Sequence, residues 1–411
     1  MRMKNKMNII SAILLALAGA LLYGMTAGLR GNIGVLFDPI IGRSGVAYGD
    51  VSFIVAVMQL VFGIAQPLFG ILAMKKSNRF VLLLGVVMLT GGVLLLPFAV
   101  NYVILFIALA VGFGVGTGAI SFGIVLSAVS RRVGSEQAMI VSGILNASSG
   151  MGAFVLTPVI QRLLDTGGLN STAYCLSIPL VLLIPVIIAI TSTRGIKKSE
   201  HENEQSKDKS KNVLEVFREA FKNRSYRLLI CGFATCGFHM VIIEAHLYSQ
   251  YLSYGMEAQT AAWVFSAYGI ATIIGALLSG LLSMRLPKGK LLGFYYGFRA
   301  VWVALYMFLL PKTPTASLIF SIGLGLTGDA TVSPTSGIVN REFHITRTAT
   351  LIGFLFFCHQ VGAFLSSWLG GVFVETTGGY VLIWNIDILL CVFASVMSIR
   401  IKDKKMKICN S

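Results

Sequence analysis

Thr193–Asn212 reads TRGIKKSEHENEQSKDKSKN, and this polar run divides the chain into two halves of like character. Together with the residues that follow it to Arg227, it holds ten of the 33 Lys and Arg residues of a 411-residue chain. Six strongly apolar stretches precede it, at 8–38, 48–74, 79–99, 102–130, 137–163 and 172–194. Six more follow, at 226–252, 259–284, 289–310, 315–341, 348–374 and 380–400. Each is about 20 residues or more, the length a helix needs to cross a ~30 Å hydrocarbon layer. Hydrophobic residues make up 55% and charged residues 12%, and mean hydropathy is +0.80. That charged share is about half the soluble norm, too little polar surface to cover the apolar side chains in water. Continuous runs exclude a β-barrel, whose strands alternate, and in lipid only a helix satisfies its backbone within one segment. The expected fold is an all-α membrane protein of twelve transmembrane helices: one bundle over 1–194, a linker over 195–225 and a second bundle over 226–411 with a basic tail.

The net charge of +16 is a topology signal. Counted at alternate span ends, 28 Lys and Arg residues fall on one side, among them Arg2, Lys4, Lys6, Lys75, Arg79, Arg131, Arg285 and Arg341. Only Arg43, Arg162 and Lys312 fall on the other, while Arg30 and Arg299 lie within spans. This asymmetry implies that both termini and the linker are cytoplasmic in the plasma membrane, with anionic lipid as a contact and no nucleic-acid partner. The first stretch follows basic residues as a signal peptide does. It is too long for an h-region, however, and has no small-residue cleavage site before Arg30–Asn32, so it is expected to be a retained helix. Cys175, Cys231, Cys236, Cys358 and Cys391 sit in spans and Cys409 in the tail, none with zinc-ligand spacing, which points to packing rather than metal or disulfides. No phosphate loop, nucleophile constellation or cofactor motif is present in the sequence, so neither an enzyme nor an ATP-driven pump is expected.

A shift of 210 residues lays the second half over the first: Gly70 meets Gly280, Met74 meets Met284, Lys75 meets Arg285, Gly118 meets Gly328, Arg131 meets Arg341, Gly143 meets Gly353 and Gly152 meets Gly362. Duplicated six-helix halves describe a transporter whose substrate lies between them near the midplane. Val213–Phe221, in the linker, has apolar residues at helical spacing and is expected on the membrane surface.

The segments Gly70–Arg79 and Gly280–Lys288 resemble the signature between the second and third helices of the major facilitator superfamily, with Met where that signature has Asp. The resemblance implies that Gly70 and Gly280 permit close helix approach and that Lys75, Arg79 and Arg285 take part in gating. Finer similarity is to the monocarboxylate-transporter-like branch. It is carried by Leu29-Arg30-Gly31-Asn32, by Gln59 through Gly70, by Cys236-Gly-Phe-His239 through His246, and by Gly353 through Gly362. Better-known carboxylate carriers place an Asp and Arg pair in helix 8, and no charge sits there before Arg285. Helix 5, with Gly150-Met-Gly152 and Pro158, lacks the Gly-Pro-rich ending of drug exporters.

Ionisable groups at membrane depth are costly and therefore candidates for function. Arg30 offers a guanidinium that holds a carboxylate through two parallel hydrogen bonds, with Asn32 and Tyr23 beside it. The alternative is an Arg that snorkels to the interface. His239 and His246, seven residues apart and so nearly on one helix face, either take up protons or hold the bundle together by hydrogen bonds. Glu244, about 140° round the helix from His239, is expected to pair with a base or to carry a proton. Asp329 is a cavity residue that pairs with Arg30 or Arg299, or serves as the proton site. Arg299 and Asp387 read as a structural pair. Gln59, Gln66, His359 and Gln360 either line the pathway or join helices. The resulting expectation is a secondary transporter for a small organic anion such as a monocarboxylate, with Arg30, Asn32, Tyr23, His239 and Asp329 at the substrate. Asp329, Glu244, His239 and His246 are the candidates for proton coupling. Efflux of a drug or metabolite is the competing expectation.

Overall fold

The computed structural model describes residues 9–133, 138–192, 213–343 and 345–401. Every regular element in them is helical. The spanning helices are α1 (Ile9–Gly31), α2 (Tyr48–Lys75), α3 (Asn78–Leu95), α4 (Tyr102–Val133), and α5 and α6, the two arms of Ala138–Ile190. The second set is α7 (Arg224–Ser253), α8 (Ala258–Arg285), α9 (Lys288–Phe308), α10 (Pro314–Glu342), α11 (Ile345–Thr377) and α12 (Val381–Ile399). α5 passes into α6 at Gly168, whose φ of 63° lies where a Cβ is disfavoured. Polar caps set several starts: Ser77 accepts from the Phe80 N–H, Asn101 from Ile104, and Thr313 from Ala316 ahead of Pro314.

Two boundaries differ from expectation. The first apolar stretch reaches residue 38, yet α1 ends at Gly31, and the chain continues as a 3₁₀ turn (Ile33–Leu36) and a short helix (Phe37–Ser44). Val213–Lys222 is a helix as read, but it docks on protein: Phe217 and Phe221 pack on Phe354 of α11, and Glu219 pairs with Arg347. The polar run 193–212, Arg2, Lys4, Lys6 and the tail with Cys409 lie outside the described residues.

Large apolar side chains such as Leu14, Leu21, Val87, Leu281, Phe294 and Leu389 stand exposed on helix faces, as a lipid-bathed bundle requires. Within each half, small residues let backbones meet. A Cβ on Gly152 of α5 would strike the Gly24 carbonyl of α1, and one on Gly362 of α11 would strike the Ala234 carbonyl of α7. These are the same contact displaced by 210 residues. Helix irregularities repeat with the same offset: the 3₁₀ turn after α1 begins at Ile33 and a π turn in α7 (Ile243–Leu247) begins at Ile243. α4 is broken after Ala119, and α10 is broken after Gly328 by a 3₁₀ turn, Asp329–Thr331. Duplication is therefore visible in the backbone as well as in the sequence.

The halves touch at midplane through Gly150 against Gly269 (α5 on α8) and Gly63 against Gln360 (α2 on α11). Among the described residues, the hydrogen bonds that join the halves run from this level to the end formed by residues 44–48, 253–258 and 377–381. There Ser367 Oγ donates to the Ser52 carbonyl (2.9 Å), and the Gly49 N–H donates to Glu375 (2.7 Å). Glu375 thus gives the uncapped start of α2 an acceptor from the opposite half, favoured also by the helix dipole.

Candidate functional site

Arg30 is the last charged residue of α1, but it lies eleven residues' depth from the start of α2 at Tyr48, because it is level with Gln59. At 1.5 Å per residue that is about 16 Å below the loops. The snorkelling alternative fails on this geometry. Arg30 reaches across the interface between halves: Nη1 donates to Glu244 Oε2 at 2.9 Å and Nη2 to Oε1 at 3.3 Å. Nη1 also donates to Gln59 Oε1 (3.0 Å), and the Gln59 amide donates to Glu244 Oε2 (3.2 Å). The guanidinium lies over Phe62, 4.9 Å from the ring centre. A bidentate fork of this kind fits a carboxylate in both position and charge.

Backbone irregularity builds the site. The π turn in α7 contains Glu244, and a Cβ on Gly34 would press on the Glu244 and Ala245 carbonyls, so the 3₁₀ turn after α1 nests against the π turn. The same π turn corrects the expectation that His239 and His246 share a face. The wider turn between them rotates the later residue away. His239 instead faces α12, where its Nδ1–H donates to Asp387 (2.7 Å), both side chains fully enclosed. Asp387 is thus paired with His239 and not with Arg299. His239, Asp387 and Cys391 bring three donor atoms within 4.8 Å, a cluster the sequence conceals because its members are 152 residues apart. Arg299 is fully buried, donates to the Thr327 and Gly328 carbonyls and to Cys236 Sγ, and so caps the first arm of α10 at its break.

His246 belongs to the closed end. Its Nε2–H donates to the Ser367 carbonyl (3.0 Å), which leaves Nδ1 to accept from Tyr48 (2.8 Å), whose oxygen accepts from Tyr380 (3.3 Å). Asn32 does not reach the site either: its amide donates to the Gly28 and Ala153 carbonyls and its oxygen accepts from Thr157, tying α1 to α5. The expectation of Asn32 and His239 at the substrate thus meets two side chains already engaged elsewhere.

Asp329 remains, at the break in α10. It is half-buried between enclosed neighbours Ala330 and Thr331, and neither Arg30 nor Arg299 is its partner. The charges of Glu244, His359, Arg30 and Arg299 act on its carboxyl. Tyr23 packs edge-on against Phe122 and lies within the field of Arg30, Asp329 and Glu244. His359 stands between Phe233 and Phe356 with its Nδ1 enclosed and unpartnered. Arg30, Glu244, Gln59, Tyr23, Asp329 and His359 therefore converge from α1, α2, α7, α10 and α11. Phe62 went unnoticed in the sequence, since an aromatic in an apolar helix carries no signal.

Of the residues expected to gate, Lys75, Arg79 and Arg285 are exposed. Lys75, Arg79 and Arg285 make no ion pair among the described residues, and open space surrounds Gly70. Close approach of helices at Gly70 is thus not what the structure shows, and nearest to Gly280 is the Ser333 hydroxyl at 3.9 Å.

Comparison with known proteins gives a consistent answer. The profile of the Major Facilitator Superfamily matches residues 15–365 and, in an overlapping match, 246–408. The "Uncharacterized MFS-type transporter YcxA" of Bacillus subtilis strain 168 is 25% identical over 364 residues, 85% of each chain. Human monocarboxylate transporter 12 is 24% identical over 380 residues, 85% of this chain and 72% of its own. Among solved structures, a bacterial homolog of the human lysosomal transporter Spinster, in an inward-facing and unoccupied conformation, superposes with a TM-score of 0.77 at 14% identity, covering 96% and 97% of the two chains. A D-xylose-proton symporter superposes with a TM-score of 0.72 at 13% identity, covering 96% and 98%.

Proposed function

The chain belongs to the Major Facilitator Superfamily and is a multi-pass membrane transporter, and on that premise we propose that it carries a small organic anion, a monocarboxylate, coupled to protons. The observation that carries the proposal is the bidentate Arg30–Glu244 pair between the halves. In the empty carrier Glu244 occupies the guanidinium as a substrate carboxylate would. A proton on Glu244 removes its charge and frees Arg30 for the cargo. Arriving carboxylate and protonated Glu244 together leave the buried charge unchanged, so the loaded carrier can cross between states at low electrostatic cost. The closed end, from Tyr48 and His246 to Glu375, is the extracellular one, and the basic ends are cytoplasmic in the plasma membrane. Transport proceeds by rocking of the bundles 1–194 and 226–411 about this site.

The test is counterflow and pH-driven uptake of radiolabelled monocarboxylates in proteoliposomes. Arg30→Gln is expected to abolish both. Glu244→Gln should keep exchange but lose accumulation driven by an inward proton gradient. Normal uptake by Arg30→Gln removes the proposal, and gradient-driven accumulation by Glu244→Gln removes its proton step.

A further inference from the structure

We infer that the cargo is bipolar, a carboxylate that also carries a cationic nitrogen group, with Asp329 as the residue that selects the second pole. The inference rests on the carboxylate reading and extends it. Once Glu244 is protonated and Arg30 holds the carboxylate, Asp329 is left as an acidic group without an ion-pair partner, since the nearby Arg299 is engaged with backbone carbonyls. Among the described residues no ion pair or hydrogen bond reaches this carboxylate, although it is half-buried in a bundle where Arg30, Glu244, His239 and Asp387 are all paired. Its helix is broken at this position, and Arg299 holds the break by capping the Thr327 and Gly328 carbonyls rather than by pairing with the carboxylate.

A second observation points the same way. On the neighbouring α11, His359 Nδ1 and Gln360 Oε1 are enclosed atoms without a hydrogen-bond partner, and Gln360 itself is only 4% exposed. A neutral imidazole nitrogen and an amide oxygen are acceptors, and a buried acceptor left unmade is costly. An anionic or purely apolar tail would satisfy neither Asp329 nor His359, which lie within each other's field. An ammonium or guanidinium brings several N–H donors and the compensating charge. A plain monocarboxylate would leave Asp329 bare opposite its own chain.

The experiment pairs probes that differ only in the second pole: 3-aminopropanoate against propanoate, and 4-guanidinobutanoate against butanoate. Thermal stabilisation of the purified full-length protein and counterflow in proteoliposomes are measured for wild type, Asp329→Asn and Arg30→Gln. The expected result is half-saturation at about tenfold lower concentration for at least one bipolar probe over its partner, the size of one charge-assisted hydrogen bond. Asp329→Asn should collapse that ratio to near one while still binding the plain acid, and Arg30→Gln should lose both probes. Equal handling of the two members by wild type, with Asp329→Asn indifferent, overturns the bipolar inference and leaves the carboxylate reading standing. Failure of every probe, or binding that survives Arg30→Gln, overturns the carboxylate reading and this inference with it.

Discussion

Replacing Arg30 by Gln should destabilise the protein more than replacing Arg30 and Glu244 together. Arg30 exposes 20% of its side chain and Glu244 9%, so the pair is closer to the buried than to the surface case. Fully exposed pairs contribute about 0.2–1 kcal/mol, whereas breaking a buried pair costs about 3–5 kcal/mol because it strands a charge. Between those limits the single substitution should cost about 2–3 kcal/mol. In Arg30→Gln the Glu244 carboxylate keeps only the Gln59 amide as a donor. In the double variant two neutral amides face each other and no charge is stranded. The coupling should therefore be about 2 kcal/mol, roughly a 30-fold effect on an equilibrium constant. The assay is a double-mutant cycle on the thermal midpoint of purified protein at neutral pH. Additive single effects, with coupling under about 0.5 kcal/mol, would refute the idea that this pair clasps the halves.

Tyr48→Phe removes the donor to His246 Nδ1 and should loosen the closed end by about 1 kcal/mol, the net worth of one hydrogen bond. In a background lacking native cysteines, Ser52→Cys, fully enclosed in wild type, should then react faster with an impermeant thiol reagent. Unchanged labelling rates would show that this bond does not hold the end shut. Asp387→Ala should cost about 3 kcal/mol or more through the stranded His239 and lower the thermal midpoint, while protein that still folds keeps its pH-driven transport. Loss of proton coupling in well-folded Asp387→Ala would transfer the proton role to His239. Gly152→Val should abolish monodisperse protein on size-exclusion chromatography because its side chain meets the Gly24 carbonyl, whereas Gly70→Ala, with open space around it, should elute as wild type.

The spans were legible because an apolar run of membrane length leaves few alternatives, and part of the 210-residue register because Gly152 and Gly362 sit at backbone contacts that tolerate no replacement, whereas Gly70, Gly143 and Gly353 have open space around them. Arg30 stood out for the same energetic reason: a guanidinium at depth needs a partner. What pattern could not supply was the identity of that partner. Glu244 is 214 residues away, and its direction depends on a π turn with no signature in the amino acids around it. Ideal helical rotation put His239 and His246 on one face, and the same turn separated them. Asn32 illustrates the opposite failure. A buried amide next to an arginine at membrane depth invites a binding role, but nothing in sequence shows that Thr157 and two carbonyls have already taken its hydrogen bonds.

The duplication and the site obey different symmetries, and this explains how a repeated frame can make an asymmetric carrier. Packing contacts recur across the shift of 210, as Gly24 with Gly152 and Ala234 with Gly362 show. The polar groups between the halves do not recur. Arg30 corresponds to Met240, Glu244 to Gly34, Gln59 to Gly269 and Asp329 to Ala119. Each polar group has lost its counterpart, and in two cases the counterpart is a glycine at a helix contact: Gly34 against the π turn and Gly269 against Gly150. Glu244 and Asp329 sit in irregular turns, and at the equivalent positions the other half carries the small residues Gly34 and Ala119. An arginine on one half facing a carboxylate on the other then makes closure itself sensitive to what neutralises the carboxylate. A symmetric pair of arginines would repel across the same seam, so coupling of cargo to closure requires the asymmetry that the duplicated backbone lacks.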